Sequence, residues 1–124
     1  MSKTADIVNG YQRALGQGDF AAARKVLADD LAFQGPFDTF HKPEPYLEAL
    51  KKLHPIIKGV KVHKLFVDGD DACMLYDMET NSPAGTAFIA EWYHVTHGGH
   101  DGAGKIASIR VVFDARPFAP LFSK

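Results

Sequence analysis

The feature that most constrains this chain is a change of hydrophobic period near residue 61. Before that point apolar residues recur at helical spacing; after it they alternate. Residues 3 to 16 predict a helix with Thr4 as its N-cap and Ile7, Val8, Tyr11, Ala14 and Leu15 on one stripe. Gly16 and Gly18 break the pattern. Asp19 predicts the cap of a second helix, Phe20 to Ala28, with Phe20, Ala23, Val26 and Leu27 turned inward. A short extended piece, Leu31 to Gln34, leads into a loop bracketed by Pro36, Pro43 and Pro45. A third helix is expected from Glu44 to Leu53, with Tyr46, Leu47, Leu50 and Leu53 on one side and Pro55 ending it.

From Lys61 the chain reads as strands. "VKVHKLFV", "ACMLYDMET", "TAFIAEWYHVT" and "KIASIRVVFD" are separated by the turns "DGDD", "NSPAG" and "HGGHDGAG". Helices first and antiparallel strands afterwards make an α+β layout, in which the helices must cover one face of the sheet. On the last strand that face is expected to carry Ala107, Ile109, Val111 and Phe113, with Ser108, Arg110, Val112 and Asp114 opposite. The tail "ARPFAPLFSK" has enough large apolar residues to pack back on the body.

The chain's 124 residues suit a single domain, and 46% apolar residues suffice for a real core. A formal net charge of −1 with scattered lysines and arginines gives no electrostatic case for nucleic acid or an anionic membrane. No run approaches transmembrane length, and the first residues lack the apolar stretch of a leader. One cysteine, Cys73, permits no intramolecular disulfide and no cysteine zinc site. It is read as a reduced core thiol in a cytoplasmic protein. His97, His100 and Asp101 lie on a glycine-rich turn that lacks the rigid frame a metal needs, so no metal or other cofactor is expected.

Alternation also exposes one anomaly. Glu91 falls on the same strand face as Ile89, Tyr93 and Val95. Leaving an unpaired carboxylate in an apolar interior costs several kcal/mol, roughly, so Glu91 should be neutral, paired or at water. The opposite face, with Trp92, His94, Arg110 and Val112, reads as a surface suited to a second copy.

"GDFAAARKVLADDLAF" and "GAGKIASIRVVF", with the order of elements between them, resemble the nuclear transport factor 2-like superfamily, which includes ketosteroid isomerases and SnoaL-like polyketide cyclases. The resemblance implies a cone-shaped α+β barrel: three N-terminal helices packed in a curved antiparallel β-sheet around a deep apolar pocket, often dimeric through the outer sheet face. In the isomerases a tyrosine and a protonated acid hold the substrate oxygen while an aspartate moves the proton. By position, Tyr11 corresponds to the tyrosine and Glu91, in "EWY", to the acid, whereas the base falls on Gly35, which cannot take up a proton.

A replacement base would be Asp77 or Asp38. Composition makes Met74, Tyr76 and Met78 the buried face and turns Asp77 outward; alignment with the family turns Asp77 inward, across from Glu91. A one-residue slip reverses the answer. Asp38 and His41 lie in "GPFDTFHK" near the open end of the cone, where Asp38 could also be a turn former. His41, Tyr93, Ile109, Val111 and Phe113 are the expected ligand contacts. The implied function is cofactor-free acid/base chemistry on a small apolar carbonyl compound, by isomerisation, cyclisation or dehydration; the alternative is a non-catalytic binding or dimerisation module.

Overall fold

A computed structural model of the protein describes residues 3–97 and 104–122. Helix α1 spans Lys3–Gly16 and buries Val8, Tyr11 and Ala14, with Asp6 in its first turn and Arg13 in its last, as the helix dipole favours. Gly18, at φ +71°, turns the chain out of the helix. Thr4 is not a cap. It lies inside α1, and its hydroxyl donates to the Gly69 carbonyl at 2.9 Å, tying the helix to a distant turn.

Asp19 caps α2, Phe20–Lys25, by accepting the Ala22 N–H at 3.0 Å. This helix ends earlier than its apolar spacing predicts. The Val26 carbonyl accepts the Ile106 N–H at 2.8 Å, which draws the chain into the sheet. Strand β1, Leu27–Gln34, therefore begins four residues before the expected extended piece, and a two-residue strand β2, Thr39–Phe40, pairs with its end. Helix α3, Pro43–Leu53, follows, with a proline in its first turn where the missing N–H costs nothing.

The long strands are β3, Ile57–Asp68, β4, Asp71–Thr80, β5, Thr86–Thr96, and β6, Lys105–Val112. They form one six-stranded sheet in the order β2-β1-β6-β5-β4-β3. All neighbours are antiparallel except β1 and β6, which run parallel, so the sheet is mixed. It does not close: β2 and β3 are its two edges. The layering is nonetheless the expected α+β arrangement of helices over one face of a curved sheet.

Burial alternates almost without exception on β4 and β5, placing Met74, Tyr76, Met78, Ile89, Glu91, Tyr93 and Val95 on the covered, concave face. On β6 the expected alternation fails at one point. Ala107 is the extra residue of a bulge opposite His94 and Val95, so Ile106, fully buried, takes the inward place expected of Ala107. Past the bulge the expected parity holds, with Ile109 1% exposed. The tail packs back as expected: Phe118 is 1% exposed and meets Phe113 edge to face at 5.7 Å. Among the described residues, no helix is long and apolar enough to cross a membrane.

Candidate functional site

Between the concave face and the helices lies a cavity of about 740 Å³, large enough for a small organic molecule. Met74, Tyr76, Met78, Ile89 and Glu91 form its sheet wall, and Tyr46 and Leu50 of α3 form its roof. Gly35, Pro36, Phe37 and Asp38 stand at one end, and Asn9, Gln12 and Arg13 of α1 face Val60 and Val62 of β3 at another. Val60 and Val62 share the concave face, because they pair with Met78 and Tyr76. Yet they are 45% and 50% exposed, so the helices leave this flank open.

Glu91 is 4% exposed, and its Oε1 accepts the Tyr76 hydroxyl at 2.5 Å. No lysine, arginine or histidine pairs with it among the described residues. Burial pushes its carboxyl above the usual carboxylate range, and hydrogen bonds from the Tyr76 and Tyr93 hydroxyls hold it down only in part. Protonated, the group can donate to a ligand oxygen.

Four tyrosines surround this acid. Tyr11 and Tyr46 join hydroxyl to hydroxyl at 2.5 Å, and the Gln12 amide donates to the Tyr93 hydroxyl at 2.5 Å. Burial above all, with Glu91 nearby, pushes all four phenols above the usual tyrosine range; neighbouring tyrosines add to this at Tyr11, Tyr76 and Tyr93, whereas the hydrogen bond with Tyr11 lowers Tyr46 a little. They stay protonated and act as donors throughout the neutral range. If Tyr11 donates to Tyr46, the Tyr46 proton is free to point into the cavity, where its ring forms part of the wall.

The expected site residues separate under this geometry. Glu91, Val111, Phe113 and Asp38 line the cavity. Tyr11, Tyr93 and Ile109 do not: each is at most 1% exposed, in the layer behind the wall. Tyr11 reaches the cavity only through Tyr46. His41 is exposed and outside the lining. Asp77 points away from the cavity, because β4 keeps the register in which Met74, Tyr76 and Met78 are inward. Its carboxylate instead meets His63 Nε2 at 2.9 Å on the convex face. The expectation of Asp77 facing Glu91 is thereby corrected. Cys73 shares that convex parity and is half-buried, not a core thiol.

Gly35 does lie in the cavity wall, where a Cβ would come within 3.1 Å of the Phe33 ring. Glycine here makes room for Phe33, which stacks on Tyr46 at 4.4 Å. His97 pairs with Asp70 at 3.2 Å, whereas His100 and Asp101 lie outside the described residues. No group of three or more His, Cys, Asp or Glu side chains that could hold a metal occurs among the described residues.

Tyr46, Tyr76 and His54 are among the wall residues that the expected site did not include. Tyr46 and Tyr76 were visible only as apolar positions of a helix and a strand. A phenol on a helix stripe looks the same whether it meets another side chain or an empty space.

Residues 8–109 match the family model of the SnoaL-like domain. The chain belongs to that family. A nuclear transport factor 2-like protein of unknown function from Cytophaga hutchinsonii is 33% identical, with 97% of this chain and 95% of that one covered at a TM-score of 0.77. Two more distant structures share the fold. A proposed ketosteroid isomerase from Shewanella frigidimarina is 18% identical, covering 90% and 95% of the two chains at a TM-score of 0.75. A proposed polyketide cyclase from Sinorhizobium meliloti is 17% identical, covering 90% and 100% at 0.75. No curated protein matches this SnoaL-like chain.

Proposed function

We propose that this SnoaL-like protein binds a small, largely apolar carbonyl compound and polarises its oxygen for cofactor-free isomerisation, cyclisation or dehydration. The observation that carries the reading is the Glu91 carboxyl, 4% exposed in the wall of an otherwise mostly apolar cavity and held by Tyr76 rather than by a cation. A neutral carboxyl and a phenol aimed at one oxygen stabilise the negative charge that grows there, and a dry site strengthens both. Glu91 and Tyr46 are the donors assigned to the ligand oxygen, and Tyr11 acts through Tyr46. The distant likeness to a proposed isomerase and a proposed cyclase is consistent with this chemistry.

The test is a thermal-shift screen of cyclic ketones and enones on the wild type and on Glu91→Gln. Ketones that stabilise the wild type should stabilise the variant less, since an amide donates more weakly than a carboxylic acid. Stabilisation independent of residue 91 would remove the proposed role.

The second reading, a binding module without catalysis, is favoured by Gly35, which leaves the wall without the family's base. The convex face, where Trp92 and Val112 are 51% and 60% exposed, is proposed as the contact between two copies, with His94 and Arg110 at its polar edge. Light scattering on the wild type and on Trp92→Lys checks it: the wild type should be dimeric and the variant monomeric. A cytoplasmic location, with Cys73 reduced, completes the proposal.

A further inference from the structure

Removing a proton from carbon requires an acceptor as well as a polarised oxygen. The cavity wall is short of acceptors. Burial raises the Glu91 carboxyl, which suits it to donate, the buried Tyr46 and Tyr76 phenols are raised likewise, and the Arg13 and Lys58 side chains offer donors only. Gly35 has no side chain to offer, and Asp38, though in the lining, is exposed. What remains in the lining is the imidazole of His54.

Its placement is specific. His54 follows the last residue of α3, and Pro55 fixes the tight turn that comes next. Its ring meets Phe20 edge to face at 5.7 Å. On another side it lies against Gly18, where a Cβ would come within 3.6 Å of Cε1 and 3.7 Å of Nε2. Gly18, at φ +71°, is a position that favours glycine, so no longer side chain displaces the ring. The ring is thus packed by carbon, yet neither nitrogen has a hydrogen bond or ion pair among the described residues. No buried side-chain polar atom there lacks a partner, so both nitrogens of this half-buried residue are accessible. A held imidazole with accessible nitrogens in a mostly apolar cavity has the makings of a proton acceptor.

We infer that His54 is the catalytic base of this site, taking the place left empty at Gly35; the inference rests on the carbonyl reading given above. The neutral ring nitrogen accepts a proton from the carbon beside the carbonyl. The C–H electron pair becomes the C=C bond of an enolate, and the carbonyl π pair moves onto oxygen, held by the Glu91 carboxyl and the Tyr46 hydroxyl. The imidazolium then returns a proton to the same carbon or, in a conjugated ligand, to a more distant one. No oxidant or reductant enters.

The experiment uses 2-tetralone, an apolar ketone with acidic α-hydrogens, in deuterated buffer. Saturation-transfer NMR reports binding, and loss of the α-hydrogen signals reports exchange. The wild type should bind the ketone and exchange it faster than buffer alone. His54→Asn should bind it similarly and exchange it at least about 100-fold more slowly. His54→Gly, with its fold checked by circular dichroism, should recover exchange when imidazole is added. Undiminished exchange in His54→Asn, or loss in Asp38→Asn but not in His54→Asn, overturns the assignment. A wild type that binds but does not exchange the ketone also overturns it while leaving the binding reading in place. Failure to bind 2-tetralone counts against both.

Discussion

Glu91 and Asp77 are carboxylates on adjacent strands of one sheet, and they live in different media. Glu91 faces the concave side, where it is 4% exposed, accepts a tyrosine hydroxyl and holds its proton more tightly than an ordinary glutamate. Asp77 faces the convex side, where its side chain is 28% exposed and meets His63. Nearby on that side, hydrogen bonds from Trp92 and then His94 hold the Asp71 carboxyl below the usual range. Strand parity, not residue type, decides which carboxyl is buried at the cavity and which pairs on the surface. A pleated strand offers no intermediate position.

The largest test of this contrast compares neighbours on β4. Met74, 1% exposed on the concave side, should cost about 2–5 kcal/mol when changed to alanine. Cys73→Ala on the convex side should cost about 1 kcal/mol or less, because its half-buried side chain leaves little cavity behind. Urea unfolding of both variants checks the difference, and equal costs would break the comparison.

The pH dependence of stability gives the second test. Glu91 binds its proton more tightly in the fold than in the unfolded chain. Its stabilising contribution is therefore complete below the ordinary glutamate range and is lost as pH rises through the elevated value. Glu91→Gln cannot ionise, so its stability relative to the wild type should rise across that interval. Thermal melts at a series of pH values would show it, and parallel curves for the two proteins would contradict the assignment.

A smaller effect should follow from Tyr76→Phe. It removes the donor to Glu91 and leaves a buried carboxyl short of a partner, at about 1–3 kcal/mol. It should also raise the Glu91 pKa further, since the Tyr76 hydrogen bond lowers it. Carboxyl NMR titration of the variant reads both sign and site. Smallest of all, Asp77→Asn should change stability by no more than about 1 kcal/mol, as expected of an exposed pair. It should leave ketone binding intact; a loss of binding would put Asp77 back at the cavity.

The fold was legible where its signals were local. The apolar run of β5 fixed the facing of Glu91, whereas β4 stayed open between composition, which buried Met74, Tyr76 and Met78, and the family alignment, which turned Asp77 inward. The structure decides for the composition and against the alignment, so Asp77 is not a base of the cavity. Long-range pairing was not legible. Nothing near Val26 announces that its carbonyl will receive the Ile106 N–H, which shortens α2 and makes β1 run parallel to β6. The bulge at Ala107 is silent for the same reason, since it depends on the partner strand. At the site, Tyr46 and His54 depend on how α3 lies over the sheet, a matter of packing that no spacing within α3 encodes.

One feature of β3 has a kinetic consequence. Because Val60 and Val62 line the cavity yet stand half in water, a bound molecule has a way out that does not pass through the core. Its residence time is set by its own contacts and not by how often the protein unfolds. Substitutions that stabilise the core should leave ligand dissociation unchanged, whereas a larger side chain at Val62 should slow entry and exit together.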